Sequence, residues 1–105
     1  MSNFNEEIKL KNYMPSNCDI KNMSSFFYAF SDDTRLRIII LLTIKSLCVT
    51  EIGSVLNVNQ TTVSHQLKIL KSLNIVDCNR VGKSVVYYIK NNSIEEMLNV
   101  SVDCI

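Results

Sequence analysis

Residues 50–73 read TEIGSVLNVNQTTVSHQLKILKSL, and this stretch decides the fold. Apolar residues recur at helical spacing on both sides of an Asn-Val-Asn segment, which predicts a short helix, a tight turn and a longer helix. Asn57 tolerates a positive φ better than most residues that carry a side chain. Asn59 is suited to cap the second helix by accepting from the amide of Thr61 or Thr62. The stretch is therefore interpreted as a helix-turn-helix.

The second helix has an outward face made almost entirely of small, polar, uncharged side chains. Val63, Leu67 and Leu70 recur at helical spacing and define its inner face. Side chains of the outward kind hydrogen-bond to base edges and phosphates in a DNA major groove. The residues predicted to make direct groove contacts are Gln60, Thr61, Thr62, Ser64, His65 and Gln66. The alternative is an ordinary amphipathic helix in a small bundle.

A β-hairpin is predicted directly after this helix. Residues 75–79 and 84–89 are rich in β-branched and aromatic side chains, and Gly82 lies between them at the flexible position of a turn. A hairpin in this place is a wing, which reaches a phosphate or an adjacent minor groove. The residues predicted to contact phosphate are Lys68 on the helix and Arg80 and Lys83 at the tip of the wing.

Four stretches, in order along the chain, carry a resemblance to a known family. Residues 30–38 read FSDDTRLRI, residues 47–52 read LCVTEI, residues 62–70 read TVSHQLKIL, and residues 80–88 contain RVGK followed by VYY. They resemble the helix-opening segment, the Leu-Cys-Val-Cys-Asp/Glu-Leu box, the recognition helix and the wing of the ArsR/SmtB repressors. The resemblance covers about residues 24–100. It implies a dimeric winged-helix protein of a kind that commonly senses metals or thiol chemistry.

Composition and charge fit a single small DNA-binding domain. The chain has 105 residues, 47% of them hydrophobic, and a net charge of +1, which allows one core with little to spare. Residues 60–90 hold five lysines and arginines against one aspartate, on the side that phosphate contact requires. The apolar run at residues 38–42 is too short to span a bilayer, and residues 1–7 lack a signal-peptide pattern. A cytoplasmic protein with no membrane partner is expected.

The predicted fold is mainly α with a small β-hairpin, a winged helix-turn-helix with the element order α-α-α-α-β-β-α. Residues 1–17 are polar and are expected to form a flexible arm, and residues 18–105 the domain that binds DNA and dimerises. A first helix is predicted over residues 19–30 and a last helix from near Ser93.

The first and last helices carry more apolar side chains than a lone winged core needs. They are Phe26, Phe27 and Phe30 on the first helix and Ile94, Met97 and Leu98 on the last. An exposed patch of this kind favours a twofold dimer, which would set two recognition helices about one DNA turn, roughly 34 Å, apart. The expected partners are therefore a second copy of the chain and a double-stranded DNA operator with an inverted repeat. The alternative is that these side chains complete a monomeric core.

The four cysteines are far apart in sequence and form no Cys-x-x-Cys pair, which argues against a zinc finger or a thioredoxin-type motif. Cys48 takes the place of the first Cys of the family box. Thr50 takes the place of the second, and a hydroxyl is a poor substitute for a thiolate toward a soft metal. A thiol site is expected at Cys48 with Cys18 or Cys104, binding arsenite, cadmium or lead, or forming a disulfide or polysulfide. The alternative is a small buried hydrophobe, which is preferred for Cys78.

The sequence predicts a DNA-binding transcriptional repressor that a soft metal or a thiol-reactive inducer releases. No triad-like arrangement of Cys, His and acid and no phosphate-binding glycine loop is present, so an enzyme is not predicted, and no cofactor is required. Two alternatives remain. One is a winged-helix regulator without a metal response, either redox-responsive, persulfide-responsive or constitutive. The other is a winged helix that binds proteins, although such a helix more often carries aromatic or leucine anchors.

Overall fold

The computed structural model describes residues 3–105, and within them the chain forms six helices and three strands. The predicted fold class, a mainly helical winged helix-turn-helix, is confirmed. In chain order the elements are α1 (Phe4–Tyr13), α2 (Asn17–Tyr28), α3 (Asp33–Ile44), β1 (Leu47–Cys48), α4 (Val49–Leu56), α5 (Gln60–Ser72), β2 (Val76–Val81), β3 (Ser84–Ile89) and α6 (Ser93–Asp103). None of the helices in this described part is long and apolar enough to cross a bilayer.

The element order differs from the prediction at the N-terminus, where α1 lies in the segment expected to be a flexible arm. Asn3 caps this helix: its Oδ1 accepts from the amide of Glu6 at 2.9 Å, and its own amide donates to Glu6 Oε2 at 3.4 Å. No residue of α1 is buried. Reciprocal capping of this kind is a local interaction and needs no core, so it supports a helix where the polar composition indicated none.

A second difference is β1, a strand of two residues that was not predicted. Leu47 pairs with Tyr87 and Cys48 with Val86, so β1 adds to the edge of the hairpin and the sheet order is β1-β3-β2. Two residues are too few to show an alternating pattern. The strand forms because these two residues pair with β3.

The core is formed where α3, α4, α5 and the sheet pack together. Its buried residues are Ala29, Ile38, Ile39, Leu42, Leu47, Ile52, Val63, Leu67, Leu70, Ile75, Val76 and Ile94. The predicted inner face of α5 is confirmed, since Val63, Leu67 and Leu70 are fully buried. On α3, Ile38 and Ile39 face the core, whereas Ile40 is 44% exposed.

The turn between α4 and α5 has the predicted chemistry. Asn57 adopts the left-handed conformation, with φ 55° and ψ 48°, which a short amide side chain tolerates. Asn59 then caps α5, and its Oδ1 accepts from the amide of Thr62 at 2.8 Å. Both features of the helix-turn-helix interpretation are confirmed.

The wing is a hairpin with a tighter turn than predicted. Only Gly82 and Lys83 lie outside the paired strands, and Gly82 has a φ of 62°, a conformation that glycine adopts without steric cost. The prediction that the turn begins at Arg80 and spans four residues was therefore wrong. Arg80 lies within β2, paired with Val85, while Lys83 remains at the tip.

Some apolar side chains of α2 and α6 lie in the core and others lie on the surface. Ile94, which was expected at a dimer interface, is 2% exposed and belongs to the core. Phe26, Phe30 and Leu98 are half-buried and pack against it. That assignment was therefore wrong for Ile94, because α6 begins by packing on α3. On α2, Ile20, Met23 and Phe27 remain exposed and lie on one face of the helix.

Candidate DNA-binding surface

The outward face of α5 presents most of the side chains expected to reach DNA. Thr62 and Gln66 are half-buried. The exposed members are Gln60, Thr61, Ser64, His65 and Lys68. The inner face of the helix is fully buried against the core. Packing therefore determines which side of α5 faces solvent and carries this exposed set.

The N-terminal end of α5 carries no negative charge. Its first turn contains no acidic residue, and the capping side chain of Asn59 is a neutral amide. No carboxylate in the first turn of α5 therefore compensates the partial positive charge of the helix N-terminus. An anion such as a backbone phosphate is favoured near this end.

The wing places two cations next to this helix. Arg80 on β2 and Lys83 at the turn are both exposed, and β2 packs against α5. Hydrogen bonds from arginine and lysine to phosphate position a protein on a duplex without reading its sequence. The two predicted phosphate contacts of the wing are thus available on an element that adjoins the recognition helix.

Gln66 is held by a buried arginine of α3. Arg35 is 5% exposed, and its Nη1 donates to Gln66 Oε1 at 3.2 Å. The same guanidinium donates from Nε to the carbonyl of Ala29 at 3.2 Å and from Nη2 to the carbonyl of Tyr28 at 3.1 Å. It also lies 4.7 Å from the centroid of the Tyr28 ring. One side chain therefore joins the C-terminal end of α2, the start of α3 and the recognition helix.

Cys48 stands at the N-cap of α4, the helix that precedes the recognition helix. It is half-buried, and its amide donates to Glu51 Oε1 at 3.0 Å. This hydrogen bond holds the pKa of Glu51 below its ordinary value, with smaller contributions from the Cys48 side chain and the charge of Lys45. A change at Cys48 would therefore act directly on the start of α4.

Cys18 lies in the first turn of α2 and Cys104 is the C-cap residue of α6, and both are exposed. Across residues 3–105, no three side chains of histidine, cysteine, aspartate or glutamate come together in a way that could hold a metal ion. The predicted combination of Cys48 with Cys18 or Cys104 is thus not assembled as a three-ligand site within one copy of the chain.

Two side-chain pairs were not predicted from the sequence. One is Arg35 with Gln66. The other is Lys71, in the last turn of α5, whose Nζ lies 3.5 Å from Cys78 Sγ on β2. The hydrogen bond to Cys78 raises the pKa of Lys71. Arg35 belongs to the segment that opens α3, and no local sequence pattern pairs it with a residue 31 positions away.

Comparisons with known proteins agree with this architecture. The sequence model of the family described as bacterial regulatory proteins, arsR family, matches residues 32–77, from the N-cap of α3 into β2. The chain is 37% identical over 89 residues to the cadmium resistance transcriptional regulatory protein CadC of Listeria innocua, covering 84% of this chain and 75% of that protein. It is 35% identical over 83 residues to a transcriptional repressor SmtB homolog of Synechocystis sp., covering 79% of this chain and 63% of that protein.

A solved structure shows the same fold. The homodimeric winged helix-turn-helix DNA-binding domain from Mycobacterium bovis superposes with a TM-score of 0.75 at 25% identity, covering 87% of this chain and 90% of that chain. The likeness therefore extends beyond the helix-turn-helix and the wing. The chain belongs to the ArsR/SmtB family of winged helix-turn-helix transcriptional regulators.

Proposed function

We propose that two copies of this chain bind an inverted-repeat DNA operator and repress transcription until a thiol-directed inducer releases them. The observation that carries the proposal is the exposed outward face of α5, with its uncompensated N-terminus, beside the exposed Arg80 and Lys83 of the wing. Such a surface is complementary to a major groove and its flanking phosphates. A protein that acts on a bacterial operator works in the cytoplasm.

The side chains of this surface divide between two tasks. Exposed polar side chains on the helix are suited to read base edges, and cations are suited to hold the backbone. Base-edge contacts are assigned to Gln60, Thr61, Thr62, Ser64, His65 and Gln66. Phosphate contacts are assigned to Lys68, Arg80 and Lys83.

Dimerisation is supported by the exposed apolar stripe on α2. Ile20, Met23 and Phe27 are 42%, 48% and 55% exposed and follow one another at helical spacing. A stripe of this kind favours burial against another apolar surface, and the matching Mycobacterium bovis domain is homodimeric. We assign residues 18–105 to the domain that dimerises and binds DNA, and residues 1–17 to an arm at its N-terminus.

The inducer is proposed to act at Cys48 together with Cys18 or Cys104. Three soft ligands do not meet within the described part of one copy, so a site for arsenite, cadmium or lead needs side chains from the second copy. Cys18 and Cys104 are exposed and are available for that. The redox alternative needs only two of the thiols, which an oxidant would join as a disulfide. The relative from Listeria is a cadmium resistance regulator, which favours the metal inducer.

The test begins with the full-length protein and a library of random DNA duplexes. Repeated selection is expected to yield an inverted repeat, and His65→Ala should weaken binding to each half-site by about 1–3 kcal/mol, with less effect on random DNA. Asn99→Ala, an exposed position on α6, serves as the matched control. The selected operator is then titrated with cadmium, arsenite and a mild thiol oxidant. A protein that selects no sequence, or a His65→Ala variant that discriminates as the parent does, contradicts the assignment of α5.

A further inference from the structure

The helix α2 carries the exposed apolar stripe assigned to the dimer interface, yet no residue of the helix itself is buried. Its apolar contacts with the core lie at its C-terminal end, where Ala29 is fully buried and Phe26 and Phe30 pack against the core. Contacts of this kind are not directional, so they determine the angle between α2 and the core only weakly. A directed contact is needed to set that angle.

Arg35 supplies directed contacts at this end of α2. Its Nε donates to the carbonyl of Ala29 at 3.2 Å, and its Nη2 donates to the carbonyl of Tyr28 at 3.1 Å. Carbonyls at the end of a helix lack intrahelical donors and carry partial negative charge. Because the donors of a guanidinium lie in a rigid planar fork, two bonds to neighbouring carbonyls orient the end of α2 as well as hold it.

The same guanidinium is bonded to the recognition helix. Its Nη1 donates to Oε1 of Gln66 at 3.2 Å. Val63 and Leu67, on the inner face of the same helix, are fully buried in the core, so α5 itself has little freedom to move. Two acceptors on α2 and one on α5 are therefore bonded to one rigid plane, which ties the two helices together.

The bonds of Arg35 are costly to break. The residue is 5% exposed, the centroid of the Tyr28 ring lies 4.7 Å from the guanidinium carbon, and all three acceptors are neutral oxygens. A buried cation is tolerated only while its donors are paired, because a charged donor left unpaired costs more than a hydrogen bond contributes. Rotation of α2 relative to α5 would unpair them, so the arrangement resists that rotation.

We propose that Arg35 is a positioning residue that sets the angle between α2 and α5 and, through it, the half-site separation that the dimer accepts. The inference rests on the proposed function, in which the α2 stripe forms the twofold interface and α5 reads DNA. In that dimer α2 relates each recognition helix to the twofold axis. One base pair added between half-sites moves the second by about 3.4 Å along the duplex and about 35° around it. A rigid link between α2 and α5 makes the dimer discriminate against this change.

A purely structural role of Arg35 would give a different result. Loss of a structural bond lowers the free energy of unfolding and weakens binding to every duplex by the same factor. Loss of a positioning bond lets α2 and α5 turn relative to each other, so the dimer accepts separations that the parent rejects. The readout is therefore the ratio of affinities between duplexes that differ only in half-site separation.

The experiment uses the full-length protein, the inverted repeat that it selects, and duplexes with one base pair added or removed at the centre. The parent is expected to bind the altered duplexes about tenfold more weakly. Arg35→Lys keeps the charge but loses the fork of donors, so its loss should fall below about threefold while light scattering still gives a dimer. Arg35→Gln, which keeps a donor without a buried charge, should behave in the same way. Arg37→Lys, at an exposed position on the same helix, is the matched control and should keep the ratio of the parent.

The inference fails if both Arg35 variants keep the ratio of the parent, or if they weaken binding to all duplexes by one factor. Arg35 then has only a structural role, and the proposed function stands. The inference also fails if the parent selects an inverted repeat but tolerates the altered separations. A parent that selects no sequence contradicts the proposed function itself, and the inference with it.

Discussion

Gly53 and Val58 approach each other so closely that position 53 has room only for a glycine. A Cβ placed on Gly53 would lie 2.7 Å from the carbonyl oxygen of Val58, and the amide of Val58 donates to the carbonyl of Gly53 at 3.0 Å. The chain thus folds back on α4 within five residues before α5 begins. This close approach fixes the geometry of the helix-turn-helix.

Gly53→Ala is expected to destabilise the protein by about 1–3 kcal/mol, the usual cost of overpacking a tight site. The obstacle is a backbone carbonyl rather than the end of a flexible side chain, so the turn itself has to move. Urea unfolding measures the effect, and Ser54→Ala, an exposed neighbour on the same helix, is the control. Equal stability of Gly53→Ala and its parent would show that the turn yields freely.

Arg80→Ala is expected to weaken operator and random DNA by similar factors. Arg80 is an exposed cation on the wing, and a phosphate contact carries no sequence information. The slope of log K against log salt should become shallower by about one unit for each phosphate that is no longer contacted. Lys21→Ala, which removes an exposed cation from α2, should leave the slope unchanged. A loss confined to the operator would instead indicate that Arg80 reads bases.

Met23→Glu combined with Phe27→Glu is expected to give a monomer with much weaker operator binding. Both side chains belong to the exposed stripe of α2, and burying carboxylates in a twofold interface opposes association. Light scattering at micromolar concentration measures the mass. Lys21→Glu, on the same helix and exposed, is the control and should remain dimeric. A monomeric parent, or a dimeric double variant, contradicts the assignment of this stripe.

Cys48→Ser is expected to keep operator binding and lose the response to soft metals and thiol oxidants. Cys48 caps α4, which packs on α5, so a bond formed at its sulfur favours one arrangement of the recognition helix over another. Anisotropy titrations with and without inducer measure the response. Cys78→Ser should retain both binding and response. A Cys48→Ser variant that still responds would exclude this site.

The Glu51 carboxylate is expected to contribute stability that acid removes. The bond from the Cys48 amide lowers the pKa of Glu51 in the folded protein below the ordinary value of 4.5. Its contribution is therefore fully present above that value and is lost as the pH falls through the folded pKa. Unfolding free energies near pH 6 and below about pH 4 should show a smaller acid-side loss for Glu51→Gln than for the parent. Equal losses would mean that the carboxylate is not engaged in solution.

The helix-turn-helix could be predicted because its determinants are local. Asn57 with its positive φ, the cap at Asn59 and the buried face through Val63 and Leu67 all lie within about three turns of chain. Each acts through residues a few positions away, so spacing and residue type indicate them. The same holds for the wing, where Gly82 takes the positive φ expected of it.

The details that failed at the sequence level depend on partners elsewhere in the chain. Arg80 is in a strand because β3 pairs with β2 through to Val81, and Ile94 is in the core because α6 packs on α3. A strand as short as β1 has no pattern of its own. At such places, burial and strand length depend on which distant segment of the chain packs or pairs with them.

The sequence by itself determined the family, the fold class and the polar face of the recognition helix, since repeating patterns and local capping specify them. Only the tertiary structure decided that Gln66 is bonded to Arg35 and that Lys71 lies beside Cys78. The physical reason is that a side chain's freedom depends on which groups surround it after packing. Arg35 and Gln66, 31 positions apart in the sequence, meet only when α3 and α5 pack on a common core.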